Sequence, residues 1–289
     1  MNNRIGVYYG YFVNTPQMEW LEYIKRAAAA GAQNIELSSL ALMHSDAKTR
    51  KEIAMAVNSF GMELTFATAI IRGRDICSAE KEERESGIED LTRQLELASE
   101  MQGRKIGGIL VSCGNYFPEG IAFRRKEILE RAKDSLSILS HRAYDHGIVL
   151  GLEVVNRFEN PLINTVEEGI AFLKDVGTKG IGLHLDTFHM SIEEPDITKA
   201  IINGGSYISH IHLAENNRGL PGMGSIDWVR IFKAIAKTGY KGSIVIEAIT
   251  HPYGSISDRL HIWRNLVREG LDSDLRKSIA FLQEIMQTL

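Results

Sequence analysis

Val149-Leu-Gly-Leu-Glu153-Val154 is an apolar run interrupted near its end by a carboxylate. Downstream, Thr165-Val-Glu-Glu-Gly-Ile-Ala-Phe-Leu-Lys-Asp-Val176 carries apolar side chains at helical spacing, and Gly177 follows it. Gly182-Leu-His-Leu-Asp186 then repeats the first pattern, an apolar run ended by an acid. Together these read as strand, helix and strand. Short strands that are apolar on both faces are those covered on both sides, as in a parallel sheet. A glycine directly after a helix fits a left-handed C-cap turning into the next strand.

The same unit recurs in both directions along the chain. Strands are expected at Ile5–Tyr8, Asn34–Leu37, Glu63–Ala67, Ile106–Val111, Val149–Val154, Gly182–Asp186, Ile208–Leu213 and Ser243–Glu247. Helical spacing marks Trp20–Ala30, Lys48–Phe60, Glu89–Glu100, Arg124–His146, Thr165–Val176, Trp228–Thr238 and Asp274–Thr288. Gly31, Gly61, Gly147, Gly177 and Gly239 punctuate helix ends. Eight strands in 289 residues, about 36 residues per unit, predict an α/β fold of the (β/α)8 TIM-barrel type. With no linker or low-complexity tract, residues 1–289 are read as one catalytic domain. A doubly wound open sheet is the alternative. It would show a Gly-rich phosphate loop after an early strand, whereas Gly107-Gly108 falls within or at the start of strand four.

Composition excludes several classes of function. Hydrophobic residues make up 44% and charged residues 24%, an ordinary globular balance that rules out disorder and collagen. The formal net charge of −4 argues against general nucleic-acid binding, which needs a basic face. Two cysteines, Cys77 and Cys113, are too few and too far apart for a disulfide framework or a zinc knuckle. No signal peptide or membrane span is visible. The expectation is a cytoplasmic enzyme.

The informative residues are the polar ones at the strand ends. Glu153, Asp186, His212 and Glu247 close four consecutive runs at spacings of 33, 26 and 35 residues, about one βα unit each. A barrel of this type places its active site at the C-terminal ends of its strands, so the four should meet at one mouth. A lone Glu at a strand end is ordinarily solvated by its loop, and a lone strand His is ordinarily a satisfied core residue. Four in succession argue for a site. Three carboxylates suit a hard or borderline divalent ion, and one imidazole tilts the set toward transition metals. With a divalent ion bound, about one negative unit remains, which favours a neutral polyol over an anionic ligand. His210 points to the same face as His212 and could hydrogen-bond deeper in the barrel; His184 stands in the same relation to Asp186. Glu159, His189 and Arg218 follow in the βα loops, where substrate is positioned. Tyr8 and Phe117 could be aromatic walls for the C–H face of a sugar, or core packing.

Glu153-Val-Val-Asn-Arg-Phe-Glu159-Asn160, Leu185-Asp186-Thr-Phe-His189-Met190, His210-Ile-His212 with Asn217-Arg218, and Ile246-Glu247 are similar to the ketose 3-epimerases. This family of D-tagatose and D-psicose (D-allulose) 3-epimerases lies within the xylose-isomerase-like barrels. Gly6-Val-Tyr8-Tyr9 and Ile262-Trp263-Arg264 extend the resemblance. It implies that Glu153, Asp186, His212 and Glu247 hold one divalent ion per subunit, Mn2+ first, with Co2+ or Mg2+ as alternatives. It further implies that Glu153 and Glu247 double as the catalytic acid and base. Glu159, His189 and Arg218 would hold oxygens near C1–C3 of the ketose, Tyr8 and Phe117 would line the pocket, and the subunits would form a homodimer or homotetramer.

Two stretches depart from the family pattern. Tyr116-Phe117-Pro118 replaces Tyr-Trp-Pro behind an insertion around Cys113-Gly114, and Ile70-Ile-Arg-Gly-Arg-Asp-Ile-Cys77 replaces a Gly-Pro-Ser type of loop. Both border the far end of the sugar and bear on substrate preference. D-psicose/D-fructose, D-tagatose/D-sorbose and L-ribulose/L-xylulose stay open as substrate pairs. The competing readings are an aldose–ketose isomerase or other sugar or inositol enzyme on the same barrel, an abasic-site endonuclease, and a sugar-binding barrel without chemistry.

Overall fold

The computed structural model describes residues 1–13, 17–115, 117 and 119–289. Its strands are β1 (Ile5–Tyr8), β2 (Asn34–Ser38), β3 (Glu63–Ala69), β4 (Lys105–Ile109), β5 (Val149–Glu153), β6 (Ile181–Asp186), β7 (Ile208–Leu213) and β8 (Ile244–Ile246). All pair in parallel, each with its neighbour in sequence, and β8 closes on β1 to complete the barrel. This is the (β/α)8 architecture expected from the sequence.

Local signals explain the units. The helix Val166–Val176 starts at a capping box in which Thr165 and Glu168 satisfy each other's backbone N–H groups, and ends at Gly177 in the left-handed region. The helix Trp228–Thr238 buries Trp228, Ile231, Phe232 and Ile235 along one stripe at spacings of three and four. Each large side chain so buried contributes about 1.5–3 kcal/mol relative to exposure. The five punctuating glycines all have positive φ.

Register places the site. Glu153 lies beside His184, and Asp186 beside His212, so these side chains share the inner face of the barrel. Glu247 follows β8 directly, and its backbone N–H donates to Leu213 O at 2.9 Å, holding it level with the end of β7. Inside the barrel, where branched aliphatics commonly fill the layers, this chain sets Asn34, Glu36, His184, His210 and His212, all buried. The imidazoles fit because β4 and β5 give way. A Cβ on Gly107 would come within 2.8 Å of His184 Nδ1.

Gly108 is constrained in a different way. Its φ is +150°, and a Cβ there would lie 2.1 Å from the Thr68 carbonyl oxygen on the paired strand. A backbone oxygen in a barrel ladder cannot swing aside. Gly108→Ala is expected to destabilise the protein by about 3 kcal/mol, combining an unfavourable backbone region with overpacking. That corresponds to roughly 5 °C in melting temperature for a domain of this size. Calorimetry reading a change under about 2 °C would refute the assignment of strain to this contact.

Candidate metal centre and active site

Four of the strand-end residues meet. Glu153, Asp186, His212 and Glu247 each offer a ligand atom, and these atoms all lie within 4.8 Å of one another. Asp186 is oriented by the chain that follows it. One carboxylate oxygen caps the helix Thr187–Glu193 by accepting the Phe188 N–H at 2.9 Å, which leaves the other directed to the pocket. There it receives the Arg218 guanidinium. His212 is held from behind, its Nε2 2.6 Å from Glu36 Oε1. Its Nδ1 lies 3.2 Å from Glu247 Oε2, and neither of these two buried atoms completes a hydrogen bond.

Arg218 is placed by a strained turn. Its φ is +63°, unusual for a residue with a side chain, and the bulk of that side chain is buried. The turn persists because its backbone is bonded on both sides: Arg218 N–H donates to Glu215 O, and Ile249 N–H donates to Arg218 O, both at 2.9 Å. Glu215, fully buried, anchors the whole loop by accepting from Gly222 N–H, Ile226 N–H and Trp228 Nε1. The guanidinium then lies 4.3 Å from the centre of the Phe188 ring and 3.1 Å from Glu247 Oε2.

His189 is fixed just as firmly. The Asn156 backbone N–H donates to its Nδ1, and the Asn156 side chain sits 2.7 Å from the same atom. Nδ1 therefore accepts and Nε2 carries the proton, 3.5 Å from Glu153 Oε1 and 3.7 Å from Asp186 Oδ2. Glu159 approaches from the same loop, 3.8 Å from His189 Nδ1 and hydrogen-bonded to Asn156. The buried Tyr8 ring stands 6.4 Å from the His212 ring. Phe117 is 49% exposed on the loop after β4; its neighbours Tyr116 and Pro118 lie outside the described residues.

The field in the pocket calls for a cation. Burial pushes the Glu153 carboxyl up, His189 opposes this, and the Glu247 charge adds to the rise. Burial acts on Glu247 too, but Arg218 and His212 beside it outweigh that and hold its carboxyl below the usual range. His212 resists burial because Glu36 and Glu247 raise it well above the usual imidazole range. Three carboxylates face one arginine here, so a divalent ion that takes the place of the His212 Nδ1 proton would bring the group to neutrality. His212 Nδ1 and Glu247 Oε2, which complete no hydrogen bond, form with oxygens of Glu153 and Asp186 the mixed oxygen and nitrogen donor set that such ions take. The residues fit the ion.

Beneath this set, His184, His210 and His212 also approach within 4.8 Å. His212 meets both His184 and His210 edge to face, with the His184 and His212 ring centres 4.0 Å apart. Burial holds His184 well below its usual value, so it is a neutral ring in the barrel floor.

A family model described as xylose isomerase-like TIM barrel matches residues 24–285. A D-psicose 3-epimerase of Enterocloster bolteae is 31% identical, with 98% of this chain and 95% of the relative covered. An L-ribulose 3-epimerase of Mesorhizobium japonicum is 33% identical over 91% of this chain and 88% of its own length. A crystal structure of D-psicose 3-epimerase with D-tagatose from Clostridium cellulolyticum superimposes with a TM-score of 0.93, at 30% identity, covering 98% of this chain and 99% of the other. The chain belongs to the ketose 3-epimerases of the xylose isomerase-like TIM-barrel family.

In this ketose 3-epimerase family member, the loops after β3 and β4 are held to each other. The buried Asp75 joins them, accepting the Cys77 N–H at 3.2 Å and the Cys113 N–H at 3.1 Å. The loop after β4 is tied in turn to the one carrying Glu159, through Asn160 to Ser112 at 2.7 Å and Asn115 N–H to Glu159 O at 2.9 Å. Neither Asp75 nor Glu215 stands out in the sequence, because each acts on groups well along the chain, Asp75 on the Cys113 N–H and Glu215 on Gly222, Ile226 and Trp228. Glu36 did have a signal: in Asn34-Ile-Glu-Leu-Ser38, polar and apolar residues alternate as on a strand with two unlike faces.

Proposed function

We propose that this ketose 3-epimerase inverts C3 of a free ketohexose or ketopentose, with residues 1–289 acting as one catalytic domain. The substrate pair is drawn from D-psicose/D-fructose, D-tagatose/D-sorbose and L-ribulose/L-xylulose. The observation that carries the reading is the convergence of Glu153 and Glu247 on one cation-seeking pocket with Asp186 and His212. When bound, a divalent ion, Mn2+ before Co2+ or Mg2+, supplies Lewis-acid polarisation of the C2 carbonyl and steadies negative charge as it develops.

One of Glu153 and Glu247 takes the C3 proton from one face of the sugar, leaving the planar enediolate, and the other, protonated, returns a proton to the opposite face; the roles exchange for the other epimer. Arg218 and the His189 Nε2–H stand where they can donate to oxygens that gain charge. Glu159 and Tyr8 orient the sugar from the rim, with Phe117 toward its far end. A pocket near neutrality when loaded suits an uncharged polyol. The resemblance to the ketose 3-epimerases favours assembly into a homodimer or homotetramer. Two free, buried cysteines fit a reducing, cytoplasmic setting, and no helix among the described residues is long and apolar enough to cross a membrane.

Proton NMR of D-fructose in D2O, with chelator-stripped protein before and after Mn2+, tests the reading. The expected result is metal-dependent D-psicose carrying deuterium at C3. Deuterium at C1, or an aldose product, would select an isomerase. No exchange with D-fructose, D-tagatose or L-ribulose would leave a binding protein.

A further inference from the structure

We infer that Glu36 is the positioning residue that presents His212 to the cation. This inference rests on the proposed cation site. Glu36 lies on β2, not adjacent to β7 in the barrel, and is 0% exposed. Its Oε1 is 2.6 Å from His212 Nε2, its Oε2 is 2.6 Å from His210 Nε2, and Thr65 Oγ1 donates to Oε2 at 3.0 Å. An ionised carboxylate only accepts, so both imidazoles carry a proton on Nε2. For His212 this leaves Nδ1 as the atom offered to the pocket, which is the atom that faces Glu247 without a hydrogen bond.

The surroundings make the arrangement hard to explain as packing alone. A carboxylate in a barrel interior costs more than an aliphatic side chain of similar size. Here it stands among imidazoles for which Gly107 has given up its side chain. His210 braces Glu36 from the second side, so that the carboxylate cannot rotate away from His212. Metal-binding histidines are steered in this way by a carboxylate on the far ring nitrogen, which fixes the tautomer and the ring plane.

The test measures Mn2+ binding to chelator-stripped protein, from the electron paramagnetic resonance signal of free aqueous Mn2+. Unaltered protein is expected to take up one Mn2+ per chain. Glu36→Gln is expected to raise the Kd about 10–100-fold. A Gln amide offers N–H to one imidazole, and a ring that accepts at Nε2 must carry its proton on Nδ1. Glu36→Asp, which keeps the charge and shortens the reach, should fall between the two. A merely structural Glu36 would lower the melting temperature of the metal-free variant and leave the Kd in place.

A second measurement needs no variant. In Mg2+-loaded, 15N-histidine-labelled protein, His212 is expected to show a downfield, exchange-protected Nε2–H proton, and its absence overturns the inference. So does a folded Gln variant whose Kd stays within about twofold of the unaltered protein's. Unaltered protein that binds no Mn2+ overturns the cation site and this inference with it. Binding that is equal in the two proteins overturns the inference alone.

Discussion

Replacing either Glu153 or Glu247 by Gln lowers net C3 epimerisation by about 10⁴-fold, the upper range for loss of a general acid or base. The two variants are expected to fail differently. With one carboxylate removed, the other can still take a proton from the epimer whose C3–H faces it and return it to the same side. Each variant should therefore exchange C3 hydrogen with D2O in one epimer of the pair, without inverting it, and the two variants should favour opposite epimers. Quench-and-NMR assays on both epimers separate inversion from exchange. Substantial epimerisation by either variant would sink the paired-carboxylate mechanism. Loss of exchange with both epimers in both variants would mean that neither Glu acts alone on one face. The asymmetry is built into the pocket: Arg218 and His212 lie in ion-pair range of Glu247, while among the described residues the ion-pair partner of Glu153 is His189.

Removal of the divalent ion has the second largest expected effect. Chelation should abolish turnover, and Mn2+ should restore it. Without the ion, the carboxylates of Glu153, Asp186 and Glu247 are left with Arg218 as the cation among them. Saturation at about 1,000 times the Kd stabilises a folded protein by about 4 kcal/mol, which for this size of chain is roughly 7 °C in melting temperature. Differential scanning calorimetry with and without Mn2+ checks this. Full activity in thoroughly stripped protein, with an unchanged melting curve, would remove the ion from the mechanism.

Much of the barrel was legible because each strand and each well-separated helix carries its own periodicity. The expected Ile5–Tyr8, Ile208–Leu213, Trp20–Ala30 and Trp228–Thr238 agree with the structure to the residue. Legibility fails where local chemistry is silent. The helix Lys81–Glu100 begins well before the expected Glu89, because Lys81-Glu-Glu-Arg-Glu-Ser-Gly87 has no apolar side chain to set a period and ends in a glycine. That glycine is there for close packing: a Cβ would lie 2.3 Å from the Arg74 carbonyl oxygen. Strand eight is shorter than expected, Ile244–Ile246, and Glu247 stands just past it.

At the site, residues at strand ends could be read from their spacing, and the structure brings those four together. The partners of Glu36, whose inward-facing position alone shows in the alternation of its strand, and those of Asn156 and Glu215 could not be read in this way. Each of the three acts on a partner from another unit of the barrel or across a loop: Glu36 on His212, Asn156 on His189, Glu215 on Trp228. Such partnerships exist only once the barrel has closed.

A barrel floor made of imidazoles, a carboxylate and glycines has a consequence for engineering this enzyme. The innermost layer supplies little apolar burial, so thermal robustness rests on the annulus between strands and helices, where Ile24, Leu95, Leu136 and Phe232 are buried. Heat-stable variants should therefore be sought in that annulus, where side chains can be repacked at a distance from the reacting carbon. Filling the floor with larger aliphatics would exchange activity for stability. Sugar preference, by contrast, can be varied at the rim, where the Asp75 staple lets the loops after β3 and β4 be exchanged as one cassette.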